Sequence, residues 1–385
     1  MRLSFGKRQI PEPTFRETLV TSAYRCACFA VPSKLLRKLA EKAGDADRRK
    51  MHSHLETTAR LRTQRTAWEL PPEIPMLFEA PAAKKEKTPP YRRTIFDVGT
   101  DTRLPGRSVR VEGGKPVRDK AVNQVYDNTG ITLDFFLKVF GRHSLDDRGM
   151  PVESAVHYGD HFSNAMWTGE QMVYGDGDQH VGGFTQALDI IAHELTHGVV
   201  QHMVPGGLGA VRLAVKDREF EGQTHALKGQ SGALNESFSD VFGSMVKQWH
   251  AQEEAGQANW LLGENMLAPH YGKAIRSLKD PGNRKLTWYE DDQFKTMAQY
   301  IDGADVHDSS GIPSHAFYLT AKKIGGFSWE TAGPIWYHAM SRLHSRASFA
   351  DAAKATKESA DSLFGSKSKE SSAVAAAWKT VKVSA

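Results

Sequence analysis

The sequence predicts an α+β protein in three parts: a small helical N-terminal segment, a β-rich lobe and a helical lobe. Three observations predict it. Residues 1–93 are basic and end in a proline-rich stretch. Residues 93–180 hold short β-like runs divided by Gly and Asp turns. Residues 183–385 carry mostly helical apolar spacing and close on an alanine-rich run from Ser372 to Lys379. A chain of 385 residues with 40% hydrophobic content has room for two or three domains.

In the N-terminal segment, residues 12–70 read as mostly helical. Lys34-Leu35-Leu36-Arg37-Lys38-Leu39-Ala40 is amphipathic, and Arg48 to Arg65 is strongly charged. Pro71-Pro72 and the run from Ala80 to Pro90 read as an exposed linker. Tyr91-Arg92-Arg93-Thr94-Ile95 opens the next unit, so the boundaries are 1–92, 93–182 and 183–385. Ser108 to Val111 and Gln171 to Tyr174 are typical of the β-like runs. Gly365 to Glu370 reads as a solvated loop.

Charge divides the chain. Residues 1–93 hold 20 Lys+Arg against 10 Asp+Glu, a net of +10; the remainder holds 30 against 35, a net of −5. One part attracts the other. A basic arm for nucleic acid is the alternative reading. The mixed charge, the sparse aromatics and the lack of a nucleic-acid motif argue against it. No apolar run is long enough for a membrane span, and Met1 to Arg8 lacks the apolar core of a signal peptide. The only cysteines, Cys26 and Cys28, are too close for an ordinary disulfide. Secretion without a recognisable signal peptide, or a cytoplasmic location, fits these features.

The helical lobe opens on His193-Glu194-Leu195-Thr196-His197, within the apolar-periodic run Leu188, Ile191, Ala192, Leu195, Val199. Residues four apart share a helix face, so both imidazoles can grip one zinc ion. Glu194, beside the first ligand, can take a proton from a metal-bound water. Such chemistry hydrolyses peptides. A catalytic zinc needs a third protein ligand and keeps one position open. Downstream, Ser231-Gly232-Ala233-Leu234-Asn235-Glu236-Ser237-Phe238-Ser239-Asp240 enters a second helical pattern. Glu236 and Asp240 are four apart. One can bind the metal, and the other can fix a liganding histidine through its free N–H. A solvated acidic face is the plainer alternative.

With these motifs the chain resembles the thermolysin-like metallopeptidase family over residues 93–385. The resemblance also rests on Asn164-Ala165-Met166-Trp167, Met172 to Asp178, Arg276-Ser277-Leu278 and Asp302-Gly303-Ala304-Asp305-Val306-His307. It implies a two-lobed unit with the His-Glu helix at the cleft floor. It implies one zinc per chain, on His193, His197 and Glu236, with Glu194 as general base. Asp240 and Asn235 become partners of the two histidines. His307, oriented by Asp302, would steady the oxyanion. Asn164 and the Ala165 carbonyl would hold the substrate backbone, and Arg276 the carbonyl after the cut. Phe184, Ile190, Met266 and Ile275 would line an apolar pocket there, so cleavage of protein or peptide substrates is expected before bulky hydrophobic residues. The stretch Cys28 to Ser33 is similar to the short pro-segment of protealysin-like members. It implies a zymogen whose own pro-segment inhibits it.

The sequence departs from the family in three places. Leu227 stands where a tyrosine is usual, removing a phenol from the oxyanion site. The segment between His197 and Glu236 is long, with an insertion running from Pro205 through Glu219. Positions of a double calcium site include Asp189 and Glu264, but also Asn259, Leu261 and Lys247. An ammonium supplies no oxygen ligand, so Lys247 speaks against calcium there. The acidic Asp146-Asp147 turn is a second candidate for calcium. Two rivals remain: a silent binding protein with structural zinc, and a basic interaction module.

Overall fold

The N-terminal lobe is organised by a mixed six-stranded sheet in the order β1-β5-β6-β4-β2-β3. The computed structural model describes residues 28–45, 47–51, 53, 55, 57, 91–217 and 220–384, with only the backbone described for residues 28 and 210–226. Cys26, the whole of the expected linker and much of the helical stretch expected over 12–70 lie outside the described residues. The strands are β1 (Cys28–Phe29), β2 (Arg93–Asp97), β3 (Arg107–Val111), β4 (Val152–Val156), β5 (Ala165–Trp167) and β6 (Met172–Tyr174). β2, β4 and β6 run parallel; β3 and β5 join antiparallel. β5 would be an exposed edge, but β1 pairs with it antiparallel, Cys28 opposite Trp167 and Phe29 opposite Met166.

This lobe is less purely β than the sequence reading held. A 21-residue helix, α2 (Lys120–Phe140), packs on the sheet. Asp119 caps it by accepting from the Ala121 and Val122 amides, and Gly141 ends it in the left-handed region at φ 69°. After β1 the described residues of the first part are mostly helical: α1 (Ser33–Lys42) buries Leu35, Leu36, Leu39 and Ala40.

The helical lobe begins with α3 (Leu188–Met203) and α4 (Gly229–Ala251). Between them the insertion forms a long hairpin, β7 (Ala210–Asp217) and β8 (Phe220–Leu227), paired along its full length. A small ribbon, β9 (Leu261–Leu262) with β10 (Arg276–Ser277), follows. The chain then forms α5 (Val306–Ser309), α6 (Gly311–Ile324), α7 (Ala332–Met340), α8 (Phe349–Phe364) and α9 (Lys369–Thr380). Ser348 and Asp351 cap α8 reciprocally, and Ser368 caps α9.

What positions the site is the contact of α3 with α4. From Asp189 to Val200 every residue of α3 is buried, so this helix is core on all sides. Gly243 of α4 lies against it: a Cβ there would fall 2.5 Å from the Asp189 carbonyl and 3.4 Å from the His193 Cβ. A side chain would therefore wedge the helices apart. The same closeness lets the α4 carboxylates reach the α3 imidazoles.

Candidate metal centre and substrate cleft

A spacing of four residues, close to one helical turn of about 3.6, places His193 and His197 on one face of α3, with their Nε2 atoms 3.1 Å apart. Glu236 of α4 brings Oε2 to 3.4 Å from His193 Nε2 and Oε1 to 3.7 Å from His197 Nε2. A tetrahedral zinc with bonds of about 2.1 Å spaces its ligand atoms by about 3.4 Å. The observed separations bracket that value. Glu236 Oε2 is buried and has no hydrogen-bond partner, a costly arrangement unless a cation faces it. The residues therefore fit a zinc ion.

Glu194 also comes within 4.8 Å of both rings. Its Oε2 is taken by the Trp167 amide at 2.7 Å, which turns the carboxylate toward β5. Glu236, whose oxygens face both imidazoles, is thus the better third ligand, and Glu194 Oε1 is left buried and unpaired at the cleft. Burial is the main reason its carboxyl rises to about 8; the His193 charge and the Trp167 N–H oppose that rise. Glu236 is the opposite case. Burial opposes its charge, but His307, His197 and His193 outweigh this and hold it well below the carboxylate range.

The second nitrogens of both rings face α4; that of His197 is hydrogen-bonded, while that of His193 makes a close ion-pair contact without hydrogen-bond alignment. His193 Nδ1 lies 2.9 Å from Asp240 Oδ1. His197 Nδ1 lies 2.9 Å from Asn235 Oδ1 and 3.0 Å from Ser239 Oγ. Arg276 grips Asp240 in a fork, Nε at 3.0 Å and Nη2 at 2.8 Å. His307 comes from α5, and its Nε2 faces Glu236 Oε2 at 3.4 Å with no hydrogen-bond partner.

The remaining edge of the cleft holds the N-terminal segment. Ala30 N–H donates to the Ala165 carbonyl at 3.0 Å. Val31 N–H donates to Asn164 Oδ1 at 2.9 Å, and Asn164 Nδ2 donates back to the Val31 carbonyl at 3.1 Å. Arg276 Nη1 reaches the Ala30 carbonyl at 3.4 Å. Further on, α1 sets Lys34 on Asp292 and 3.2 Å from Asp308, Lys38 3.3 Å from Glu290, and Lys42 over the Tyr289 ring.

A family model for the thermolysin metallopeptidase catalytic domain matches residues 105–201, and one for the alpha-helical domain of the same family matches residues 225–383. The chain belongs to the thermolysin metallopeptidases. It is a zinc metalloendopeptidase. An extracellular metalloprotease of Pectobacterium carotovorum is 39% identical over 81% of this chain and 84% of its own. Protease PrtS of Photorhabdus is 42% identical over 64% of each chain. The chain spans 44% of a bacillolysin of Bacillus amyloliquefaciens that is 35% identical to it. The solved precursor of protealysin, a metalloproteinase of Serratia proteamaculans, superposes with a TM-score of 0.74. It is 35% identical, with 93% of this chain and 100% of that one covered.

One residue expected from the thermolysin-like pattern is not where the resemblance put it. Asp302 does not orient His307; it lies at the surface, 3.4 Å from the Tyr300 hydroxyl. Asp305 does so instead. Its Oδ1 accepts from the His307 amide at 2.9 Å and lies 2.8 Å from His307 Nδ1. Burial works against the His307 charge, but Glu236 and Asp305 raise its pKa above the usual value. An Asp two residues before a His at a helix start is a capping pattern that could have revealed this. Ser239 and the Trp167 amide also escaped the sequence reading. Leu227 lies half-buried against Gly232 and offers no hydroxyl.

Phe184, Ile190, Met266 and Ile275 are all buried in the main core. Met266 and Ile275 meet around Gly263. At the expected calcium positions, Lys247 Nζ lies 3.3 Å from Asp189, 3.6 Å from Glu264 and 3.2 Å from the Leu261 carbonyl. Asp146 and Asp147 each accept from amides of their own turn.

Proposed function

We propose that the chain is made as a zymogen, and that the released enzyme cuts peptide bonds before bulky hydrophobic residues. The observation that carries the zymogen reading is the backbone pattern around Ala30 and Val31. Asn164, Ala165 and Arg276, the residues expected to hold a substrate, hold the chain's own N-terminal segment. Ala30 takes the place of the first residue after the cut, and Val31 the second. A substrate cannot enter while they remain.

His193, His197 and Glu236 would hold the zinc, which supplies a Lewis acid and lowers the pKa of a water to about 7. Glu194 takes the proton of the attacking water and delivers it to the leaving amine. The Trp167 amide keeps its carboxylate aimed while this happens. His307, held by Asp305, points Nε2 at the place where negative charge develops on the attacked carbonyl. Arg276 serves two tasks: it anchors Asp240 and it binds the carbonyl after the cut. Phe184, Ile190, Met266 and Ile275 set the apolar preference. Lys247 replaces calcium by neutralising Asp189 and Glu264, and the relatives' extracellular naming supports release from the cell.

Casein hydrolysis by the matured enzyme and by Glu194→Ala, each with and without a zinc chelator, tests the chemistry. Loss of activity on chelation, and in the variant at unchanged zinc content, is expected. Activity retained in Glu194→Ala would overturn Glu194 as the general base, and an unmodified enzyme without activity would leave the structural-zinc rival standing. Sequencing the mature N-terminus locates the maturation cut, expected near residues 80–94. A selective calcium chelator should leave the melting temperature unchanged; a clear fall would return calcium to the site.

A further inference from the structure

We infer that Asp292 and Asp308 form a subsite for a basic side chain downstream of the cleaved bond. The inference rests on the reading that Ala30 and Val31 lie in the cleft as a substrate does. From those residues the segment runs on into α1, where Lys34 lodges its ammonium between the two carboxylates. An acidic pair by itself indicates nothing. Here the pair has an occupant, Lys34, and it belongs to the same segment that the substrate-binding groups hold.

Two features make the pair a receptor for a cation. First, neither carboxylate has another cationic partner among the described residues; Lys34 is the ion-pair partner of both. Burial together with repulsion from Asp292 and Asp305 already lifts the Asp308 carboxyl to about 6, against the pull of Lys34. Once the segment leaves, that pull is gone and the like charges face each other uncompensated.

Second, the pair is framed rather than loose. Phe294 N–H donates to the Asp308 carbonyl at 2.7 Å, and Gln293 Nε2 donates to the His307 carbonyl at 2.9 Å. The loop carrying Asp292 is thereby tied to α5, which carries both Asp308 and His307. Any side chain in this pair sits at a fixed offset from the catalytic residue. Lys34 lies three residues beyond Val31. A lysine or arginine at the third to fifth residue after the cut covers the same span in an extended chain, at about 3.3–3.6 Å per residue.

The test uses the matured enzyme and a peptide series that differs only in Lys, Ala or Glu at the third, fourth and fifth positions after the cut. The readout is the ratio of kcat/KM values within each enzyme form. Lys is expected to exceed Ala by about three- to tenfold at one position, with Glu below Ala, and the ratio should shrink in high salt. Asp292→Asn should bring the Lys/Ala ratio to about one, and Asp292→Lys should turn the preference toward Glu. A Lys/Ala ratio of one in the unmodified enzyme, or a preference unaltered in Asp292→Asn, overturns the subsite. If no peptide in the series is cut, the peptidase reading itself falls and the subsite falls with it.

Discussion

The centre of the cleft and the seam under α1 are built from the same kinds of charged side chain, yet they stand in different physical regimes. In the centre, His193, Glu236, Asp240 and Arg276 have side chains at most 4% exposed. In the seam, Lys34, Lys38, Glu290 and Asp292 keep 26–48% of their side chains in water. A buried charge that loses its partner has no water to turn to, so the centre tolerates no single deletion. The seam is screened and forgiving. What holds α1 down is mostly apolar. Leu35, Leu36 and Leu39 are fully buried, worth about 1.5–3 kcal/mol each, against under about 1 kcal/mol for each exposed ion pair. The seam selects where α1 docks; the leucines supply the adhesion.

The sharpest way to break this contrast is Asp240→Asn. It leaves Arg276 buried without its countercharge and removes the negative charge 2.9 Å from His193 Nδ1. A loss of about 3–5 kcal/mol in unfolding free energy is expected, with zinc bound about 10–100-fold more weakly. Chemical denaturation and zinc titration would measure both. A change under about 1 kcal/mol would put the centre in the same class as the seam.

Asp305→Ala should lower kcat by about 10–100-fold with little change in KM, because His307 loses the acceptor that aims it. Asp302→Asn should leave kcat as it is. Equal losses in the two variants would contradict the geometry of α5.

His157 sharpens the comparison from between the extremes. It is partly buried, with Nε2 2.8 Å from Asp119 and Nδ1 2.7 Å from Asp176. Burial opposes its charge, but the two carboxylates raise its pKa above 6.5. A group whose folded pKa is raised stabilises fully below its unfolded value. That stability is lost as pH climbs from about 6.5 through the raised folded value. Wild type should therefore lose stability over that window, and His157→Gln should show a flatter profile there. Parallel pH profiles would refute the clamp.

The smallest effect belongs to the seam itself. Lys38→Ala should cost little stability and become neutral in high salt. A salt-independent loss would mean that Lys38 acts through packing.

The sequence by itself placed the candidate metal ligands on shared helix faces, because His193 and His197, like Glu236 and Asp240, are related by the helical repeat; spacing alone left Glu236 and Asp240 as alternatives for the third ligand. Spacing of four on a regular helix fixes a shared face before any tertiary contact exists. It also marked α1 through the spacing of its leucines. The α2 helix was legible in principle, from the Asp119 cap and Gly141, but the short β-like runs on either side masked it. Other features only the tertiary structure decided. Which acid orients His307 depends on how residues 302–305 turn, and Gly303 at φ 79° with the cap at Asp305 sends Asp302 outward. The bond from Trp167 N–H to Glu194 spans two lobes. The Arg276 fork on Asp240 joins residues 36 apart, and the Asn164 and Val31 pair joins residues 133 apart. Local spacing carries no information on such long-range partners. They are chosen by which surfaces pack together, as the close approach of α3 and α4 at Gly243 brings Glu236 to the imidazoles of α3.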